Sequence, residues 1–355
     1  MKSRIKFLSG SGREQGSLFI LSIWLLLMLS FFTLAIGYTV HQQLRIFKNL
    51  QGREELRLIA EAGVKKAIAV LNRRDPQRPI RDSLAADWSA NPAAFQDVAV
   101  GPGAFSVNKF AYGHGDSSFA KMESLRFGMM DEESKINLNL TTDVVVLTRL
   151  FQAAMESESD TMRDLAEAVM DFKDEDDSSY ASGAESRYYR NLTPPYEPKN
   201  AKIDTLEELL WVKGMRPEIF VKIKPLLTLH SSGKINVNTA SFAALAAIGF
   251  EKTLALKILD FRNGPDRTPG TGDDGFLGDL TALAPALAAT SGLEEAEKAR
   301  VDQIILEGQI TVSSEYFQIQ SIGKIKNRQQ AMVIQCVVER YGEILQWREF
   351  YVTVS

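Results

Sequence analysis

The chain has 355 residues and a formal net charge of −4, which excludes a general electrostatic attraction to nucleic acid or anionic lipid. Its single cysteine excludes an internal disulfide framework, and its 3 histidines do not cluster, which argues against a histidine-rich metal centre. Cys336 lies in the apolar stretch 333–338, which predicts a small, buried side chain.

An uncharged run from Gly16 to Val40 follows a short basic and polar leader at the N-terminus. At the rise of an α-helix the run reaches roughly 37 Å, enough to cross a hydrocarbon core of about 30 Å. No small-residue cleavage site follows Val40, so we expect the helix to persist as a single-pass anchor. The basic side is expected in the cytoplasm and the rest of the chain outside.

The junction between Gly16 and Ser17 predicts a more specific event. A cut there removes only the polar leader, as in the leaders that prepilin peptidase processes in pilins and pseudopilins. A plain signal-anchor helix with glycine at its edge is the alternative. Most pilin-like chains carry glutamate at the fifth mature position, where this chain has Leu21. A carboxylate inside a bilayer is costly unless it has a partner, and a subunit at the tip of a fibre has no neighbour above it to supply one. A neutral residue at this position therefore fits a tip subunit. It also fits a chain that is not pilin-like.

The periodicity of the remaining chain predicts an α+β fold. Residues 41–72 continue the helical pattern, and strand-like segments follow at 103–108 and 124–130. From about 143 to 308 the apolar residues recur at helical spacing, and from 309 the period changes to two, as in three antiparallel strands. Strands on both sides of a helical block predict one sheet-bearing head with a helical insertion.

A short internal similarity has one copy just before the helical block and one copy within it. Residues 135–139 read Lys-Ile-Asn-Leu-Asn, residues 234–238 read Lys-Ile-Asn-Val-Asn, and helical patterns follow both. Asparagine at such positions caps helix starts by accepting backbone N–H bonds. The similarity indicates either a duplicated unit or the chance reuse of a capping turn.

An acidic loop at residues 171–177 is followed by Glu185, after a turn that contains Gly183. Ca²⁺ takes six to eight oxygen ligands, often from carboxylates on flexible loops, although acidic runs are also common as solvated surface. The candidate ligands are Asp171, Asp174, Asp176, Asp177 and Glu185. A second acidic loop holds Asp266, Asp273 and Asp274, and there we favour the solvated-surface interpretation.

Residues 234–262 also resemble the helix–hairpin–helix repeats of competence proteins that bind DNA. Such hairpins bind phosphate through backbone N–H groups in a glycine-rich turn, aided by basic residues. Here Ala247 replaces the first expected glycine, Glu251 follows the turn, and no basic stripe accompanies it. We therefore interpret the segment as a structural hairpin and expect no nucleic-acid partner. No common catalytic motif occurs, so we do not expect an enzyme.

The motifs taken together resemble one family, the K minor pseudopilins of bacterial type II secretion systems. The resemblance covers nearly the whole chain in the expected order and is weakest at 77–120. It rests on the glycine-ended leader, Leu21, AEAGVKKAI at 60–68, DEESKINLN at 131–139, the acidic loop, YYRNLTPPYEPKN at 188–200, ELLWVKGM at 208–215, KINVNTA at 234–240, SSEYFQIQ at 313–320 and QWRE at 346–349.

The resemblance implies a pilin-like head with a long N-terminal helix, a small antiparallel sheet and a large inserted α-helical domain. The expected segments are a leader at 1–16, a membrane part at 17–40, a periplasmic helix at 41–72, the first part of the head at 73–130, the insertion at 131–308 and returning strands at 309–355. It also implies a bacterial inner-membrane protein whose head lies in the periplasm.

The resemblance further implies the partners and the cofactor. A complex with the I and J minor pseudopilins at the pseudopilus tip is expected to prime assembly on the major pseudopilin and to support protein export. Contact with secreted substrates, methylation of the Ser17 amine and structural Ca²⁺ at the acidic loop are further expectations. A minor pilin of a type IV pilus and a membrane-anchored, DNA-binding hairpin protein are the alternatives.

Overall fold

The long N-terminal helix α1 spans Glu14–Leu71 in the computed structural model, which describes residues 14–73, 82–112 and 122–353. It runs through the Gly16–Ser17 junction, whereas the leader up to residue 13 lies outside the described residues. Within Leu18–Leu71 the mean hydropathy of the most apolar 18-residue window is 2.5, so by length and composition the helix can cross a membrane. Residues 18–40 are all exposed, as lipid contact requires.

The remaining elements occur in the following order. The other helices are α2 (Pro92–Phe95), α3 (Val144–Met155), α4 (Asp160–Lys173), α5 (Ser186–Arg190), α6 (Pro217–Ile223), α7 (Phe242–Ala247), α8 (Lys252–Arg262), α9 (Leu283–Ser291) and α10 (Glu295–Leu306). The strands are β1 (Val98–Val100), β2 (Gly103–Tyr112), β3 (Met122–Phe127), β4 (Met130–Asp131), β5 (Ile136–Asn137), β6 (Leu227–Thr228), β7 (Ile235–Asn236), β8 (Ile310–Thr311), β9 (Tyr316–Ile325), β10 (Gln330–Glu339) and β11 (Ile344–Thr353).

The chain divides into two compact units, one up to Glu55 and one from Leu56 onward. The second unit contains an antiparallel sheet with the strand order β1-β2-β9-β10-β11, to which β3 is added at β2 and β4 at β9. The period-two pattern of the sequence therefore corresponds to β9, β10 and β11. Cys336 on β10 is buried without a disulfide, as predicted.

The last part of α1, Leu56–Leu71, packs against this sheet. Its buried apolar residues follow the helical repeat and are Leu56, Ile59, Ala60, Val64, Ala67 and Leu71. Two glycines allow the close approach of helix and sheet. A Cβ at Gly63 would lie 2.8 Å from a ring carbon of Phe105, and a Cβ at Gly323 would lie 2.7 Å from the backbone nitrogen of Ala60. Both distances are far below carbon van der Waals contact.

The helices α3 to α10 lie between β4 and β9 in the chain and surround a core of their own. The arrangement confirms the predicted α+β class, with a long N-terminal helix, an antiparallel sheet and many helices. Two short parallel ladders within the helical part were not predicted. Ile136 of β5 pairs with Leu227 of β6, and Ile235 of β7 pairs with Ile310 of β8.

These ladders contain the two similar segments, and the asparagines in them have equivalent roles. The Oδ1 atom of Asn137 accepts the backbone N–H of Asn139 at 3.0 Å, and that of Asn236 accepts the N–H of Asn238 at 3.0 Å. The amide of Asn139 then exchanges two hydrogen bonds with the backbone of Ile203. Asn238 does the same with Leu277. Matching strand, turn and amide contacts 99 positions apart favour a duplicated unit.

Candidate metal centre

The acidic loop follows the C-terminal end of α4 and folds back over it. The apolar face of α4 faces the helical core, and Asp171 lies on its buried side, where it is 0% exposed. The Asp171 carboxylate accepts the backbone N–H of Tyr180 at 3.2 Å and the hydroxyl of Ser179 at 3.0 Å. A Cβ at Gly183 would lie 2.5 Å from the carboxyl carbon of Asp171, so only glycine permits this return.

Three carboxyl groups meet at this fold-back. Asp171, Asp174 and Glu185 each offer one oxygen, and the three oxygens lie within 4.8 Å of one another. Asp174 occupies the C-terminal cap position of α4, and Glu185 occupies the N-terminal cap position of α5. The ends of two consecutive helices therefore bring together carboxylates that lie up to fourteen positions apart in the sequence.

Four buried oxygens here have no hydrogen-bond partner among the residues that the structure describes. They are Oδ1 of Asp174, both carboxylate oxygens of Glu185 and Oδ1 of Asn200. A buried polar group without a partner costs about 1–3 kcal/mol, and native proteins contain few such groups. Carboxylate and amide oxygens are ligands that Ca²⁺ prefers, so one hard cation could satisfy this donor set.

Asn200 is a further candidate ligand that the sequence did not indicate, because its unpartnered Oδ1 atom belongs to a residue bonded to the last turn of α4. Its backbone N–H donates to the carbonyl of Phe172 at 3.0 Å, which fastens the segment after α5 to the last turn of α4. Its φ of 43° lies in the left-handed region, which asparagine tolerates better than most residues. An uncharged residue fifteen positions beyond Glu185 has no spacing that marks it as a ligand. The segment YYRNLTPPYEPKN, which ends at Asn200, was noted only as a family motif.

Electrostatic repulsion at the centre is strong. Burial and the charges of Asp176 and Asp171 raise the pKa of Asp174 to about 6. Burial and the charges of Asp171 and Asp174 raise the pKa of Glu185 to about 7. No salt bridge to Asp171, Asp174 or Glu185 occurs among the described side chains, and the charge of the neighbouring Lys173 offsets only part of the repulsion at Asp174.

The other two predicted ligands lie outside this group of three. Asp176 is exposed, and its carboxylate accepts the backbone N–H of Ser178 at 2.7 Å. Asp177 is also exposed, and its carboxylate accepts the N–H of Ser186 at 3.2 Å, in the first turn of α5. Both residues thus shape the loop and add negative charge near the centre.

The second acidic loop is bonded to itself. The carboxylate of Asp273 accepts the backbone N–H of Asp266 at 3.2 Å and the hydroxyl of Thr271 at 2.6 Å. The carboxylate of Asp274 accepts the N–H of Gly270 at 2.7 Å. Internal bonding of this kind agrees with a surface loop.

In the turn between α7 and α8, the backbone N–H groups of Gly249 and Phe250 donate hydrogen bonds within the protein. The N–H of Gly249 donates to Ala246 at 3.0 Å, and that of Phe250 donates to Leu245 at 3.1 Å. The Nε atom of Arg300 donates to the carbonyl of Gly249 at 2.9 Å, as basic residues do at helix C-termini. These bonds agree with a structural hairpin.

Comparisons with known proteins agree with this architecture. A family model described as type II secretion system protein K matches residues 134–232, which run from just before β5 to just after β6. Type II secretion system protein K of Aeromonas hydrophila is 30% identical over 121 residues. That alignment covers 33% of this chain and 37% of that protein, so the chain spans little more than a third of this relative's length.

A similar fold occurs in a crystal structure. It is that of the GspK–GspI–GspJ complex from the type 2 secretion system of enterotoxigenic Escherichia coli. The match has a TM-score of 0.60 at 18% identity and covers 85% of this chain and 98% of that chain. The likeness concerns the fold, because identity this low does not carry residue roles.

The fold combines an N-terminal helix that is long and apolar enough to cross a membrane with a sheet-bearing head that carries a helical insertion. The first repeat of that insertion coincides with the matched family segment. Over residues 134–232 the chain is similar to the type II secretion system protein K family, and this match covers less than a third of its length.

Proposed function

We propose that this chain is a minor pseudopilin at the tip of a type II secretion pseudopilus. One observation carries the proposal: a segment that matches the protein K family model lies between β4 and β9, in a chain whose N-terminal helix is apolar and exposed over residues 18–40. The chain forms a complex with the I and J minor pseudopilins, primes assembly on the major pseudopilin and supports export across the outer membrane. The named complex of the structural relative supports the choice of partners.

The N-terminus is proposed to be processed by prepilin peptidase after Gly16. Ser17 becomes the first mature residue, with a methylated amine, and Leu21 leaves the fifth position neutral. The mature chain remains in the inner membrane by a single helix, with its head in the periplasm. Exposure of Leu21 on an apolar stretch of α1 supports this assignment, because a carboxylate there would face lipid unless a neighbour paired it.

The acidic loop is proposed to bind one Ca²⁺ ion. Asp171, Asp174 and Glu185 supply carboxylate oxygens, and Asn200 supplies an amide oxygen that has no other described partner. Asp176 and Asp177 complete the negative field around the ion. The ion's role is structural: it neutralises the repulsion between the carboxylates and holds the ends of α4 and α5 together.

The processing step is tested by mass spectrometry of membrane-extracted protein, expressed with and without prepilin peptidase. Loss of the mass of residues 1–16 only with the peptidase is expected. Gly16→Leu is the matched control, and it should keep the full mass in both cells. An intact N-terminus in both cells for the unaltered chain would leave a simple signal-anchored protein.

The tip assignment is tested by co-purification after co-expression with pseudopilins. The chain should retain the I and J minor pseudopilins of a type II secretion system. It should not retain the minor pilins of a type IV pilus expressed in the same way. The reverse pattern would make the chain a type IV minor pilin.

A further inference from the structure

Lys213 connects the acidic loop to a second hairpin of the helical part. This hairpin consists of the 3₁₀ helix Leu206–Trp211, a turn that contains Lys213, and α6. The Nζ atom of Lys213 donates to the carbonyl of Ser182 at 3.1 Å and to that of Gly183 at 3.0 Å. It also lies 5.2 Å from the centroid of the Tyr188 ring, within cation–π range. The Lys213 side chain thus connects residues 182–183, at the end of the acidic loop, to the hairpin.

The backbone of Lys213 makes a second connection, to the fully buried Tyr189. The N–H of Lys213 donates to the Tyr189 hydroxyl oxygen at 3.2 Å. Tyr189 belongs to α5, whose N-terminal cap position is Glu185, and its ring centroid lies 5.6 Å from that of Phe172. Because α5 is short, a displacement of Glu185 also displaces Tyr189.

A row of aromatic rings continues this connection to the surface. The ring centroid of Tyr189 lies 5.1 Å from that of Tyr196, which lies 5.5 Å from that of Trp211. The Tyr196 hydroxyl donates to the carbonyl of Trp211 at 2.7 Å. Trp211 is 59% exposed, which is unusual for so large an apolar side chain beside a buried aromatic cluster.

Elementary electrostatics predicts two states of the acidic loop. Without a cation, repulsion between the buried carboxylates favours a loop that opens, which removes the carbonyl acceptors of Lys213. With a cation bound, Glu185 and the backbone of Ser182 and Gly183 are drawn towards α4, where Lys213 can bind them. A packed interior transmits such a shift because its side chains interdigitate and do not deform continuously.

We propose that a divalent cation bound at the acidic loop acts through Lys213 and Tyr189 to order the exposed surface around Trp211. The inference rests on the calcium site proposed above and extends it to the regulation of a surface. The hairpin is then ordered in the cation-bound protein and mobile in the cation-free protein.

The test uses the full-length protein in detergent, first freed of cations with a chelator and then titrated with CaCl₂. Calorimetry follows binding while tryptophan emission is recorded in parallel. The emission should shift with the same midpoint as the heat, and Trp211→Phe should abolish the shift but keep the heat. The remaining Trp24, Trp88 and Trp347 serve as internal controls.

Lys213→Met tests the connection itself, because it keeps an unbranched apolar stem and removes the ammonium group. Calcium should still bind, while the Trp211-dependent shift becomes at least about threefold smaller. Lys222→Met, at an exposed position on α6, is the matched control and should give the unaltered shift. Amide exchange of residues 206–215 in the unaltered protein, with and without calcium, supplies a readout that needs no variant.

The outcomes separate the two proposals. No binding heat in the unaltered protein would overturn the calcium site. Binding heat without a Trp211-dependent shift or slower amide exchange at 206–215 would overturn the coupling and leave the site intact. An unchanged Trp211-dependent emission shift in Lys213→Met would show that Lys213 does not couple calcium binding to the hairpin.

Discussion

The side-chain amide of Asn236 donates a hydrogen bond to the carboxylate of Asp131 at 3.1 Å, across 105 positions of the chain. Asp131 ends β4, and Asn236 ends β7 of the second repeat. The same carboxylate accepts the hydroxyls of Thr239 and Ser314 and the backbone N–H of Glu133. One buried acid therefore joins the sheet, the second repeat and the segment that leads back into the sheet.

Replacement of Asp131 by alanine is expected to lower the free energy of unfolding by about 3 kcal/mol, because several buried donors lose their acceptor together. Chemical unfolding of the chain in detergent measures the change. Asp279→Ala is the control, since Asp279 accepts the N–H of Thr281 at an exposed 3₁₀ start and should cost about 1 kcal/mol. A loss for Asp131→Ala no larger than that for Asp279→Ala would contradict the joining role.

The proposed calcium site makes stability depend on pH with a defined sign. Folding raises the pKa of Asp174 to about 6 and that of Glu185 to about 7, so the cation-free fold favours their protonated forms. The corresponding stability is present below about pH 4 and is lost as the pH rises through 6 to 7. Chelator-treated protein should therefore show a larger rise in Tm on addition of calcium at about pH 8 than at about pH 5.5. An equal rise at both pH values would argue against these two ligands.

Asn200→Ala is expected to weaken calcium binding about tenfold, or about 1.4 kcal/mol, because one neutral oxygen ligand is lost. Asn200→Asp keeps an oxygen at the same place and adds a charge, so it should bind calcium at least as tightly. Calorimetry on the full chain measures both. Asn191→Ala, at an exposed position nearby, is the matched control. Unaltered affinity in Asn200→Ala would remove Asn200 from the site.

Gly323→Ala is expected to lower the free energy of unfolding by about 2 kcal/mol, because its Cβ would lie 2.7 Å from backbone atoms of Leu56 and Ala60. Helix α1 and β9 would then have to separate. Gly272→Ala meets no atom within 4 Å and should change stability by less than about 0.5 kcal/mol. Thermal unfolding of the two variants compares them directly, and equal Tm values would show that helix and sheet are not tightly packed there.

Periodicity predicted the elements whose side chains face one side of a packed layer. The stripe on Leu56–Leu71 and the alternation on β9 are long enough to produce a repeating pattern. The ladders β5–β6 and β7–β8 were missed because strands of two residues have no period. The α+β class was nevertheless confirmed, because long elements determine the class.

The polar sites were harder to predict, since their members come from distant parts of the chain. Asp131 and Glu133 lie in a run of acids that usually indicates solvated surface, yet both are buried. Burial and the charge of Asp131 raise the pKa of Glu133 to about 9. The cluster of Asp171, Asp174 and Glu185 could be proposed from local acidity. Asn200 could not be proposed in this way, because only a backbone hydrogen bond to Phe172 connects it to the end of α4.

The hydroxyl of Ser314 donates to Asp131 at 2.6 Å, although the two residues are 183 positions apart. The excursion of the chain into the helical part therefore starts and finishes at a single point beside β9. A loop whose ends already touch can lengthen or shorten at little entropic cost to the sheet. The helical part could therefore be gained, enlarged or replaced in evolution without a change in the strand pairing of the sheet.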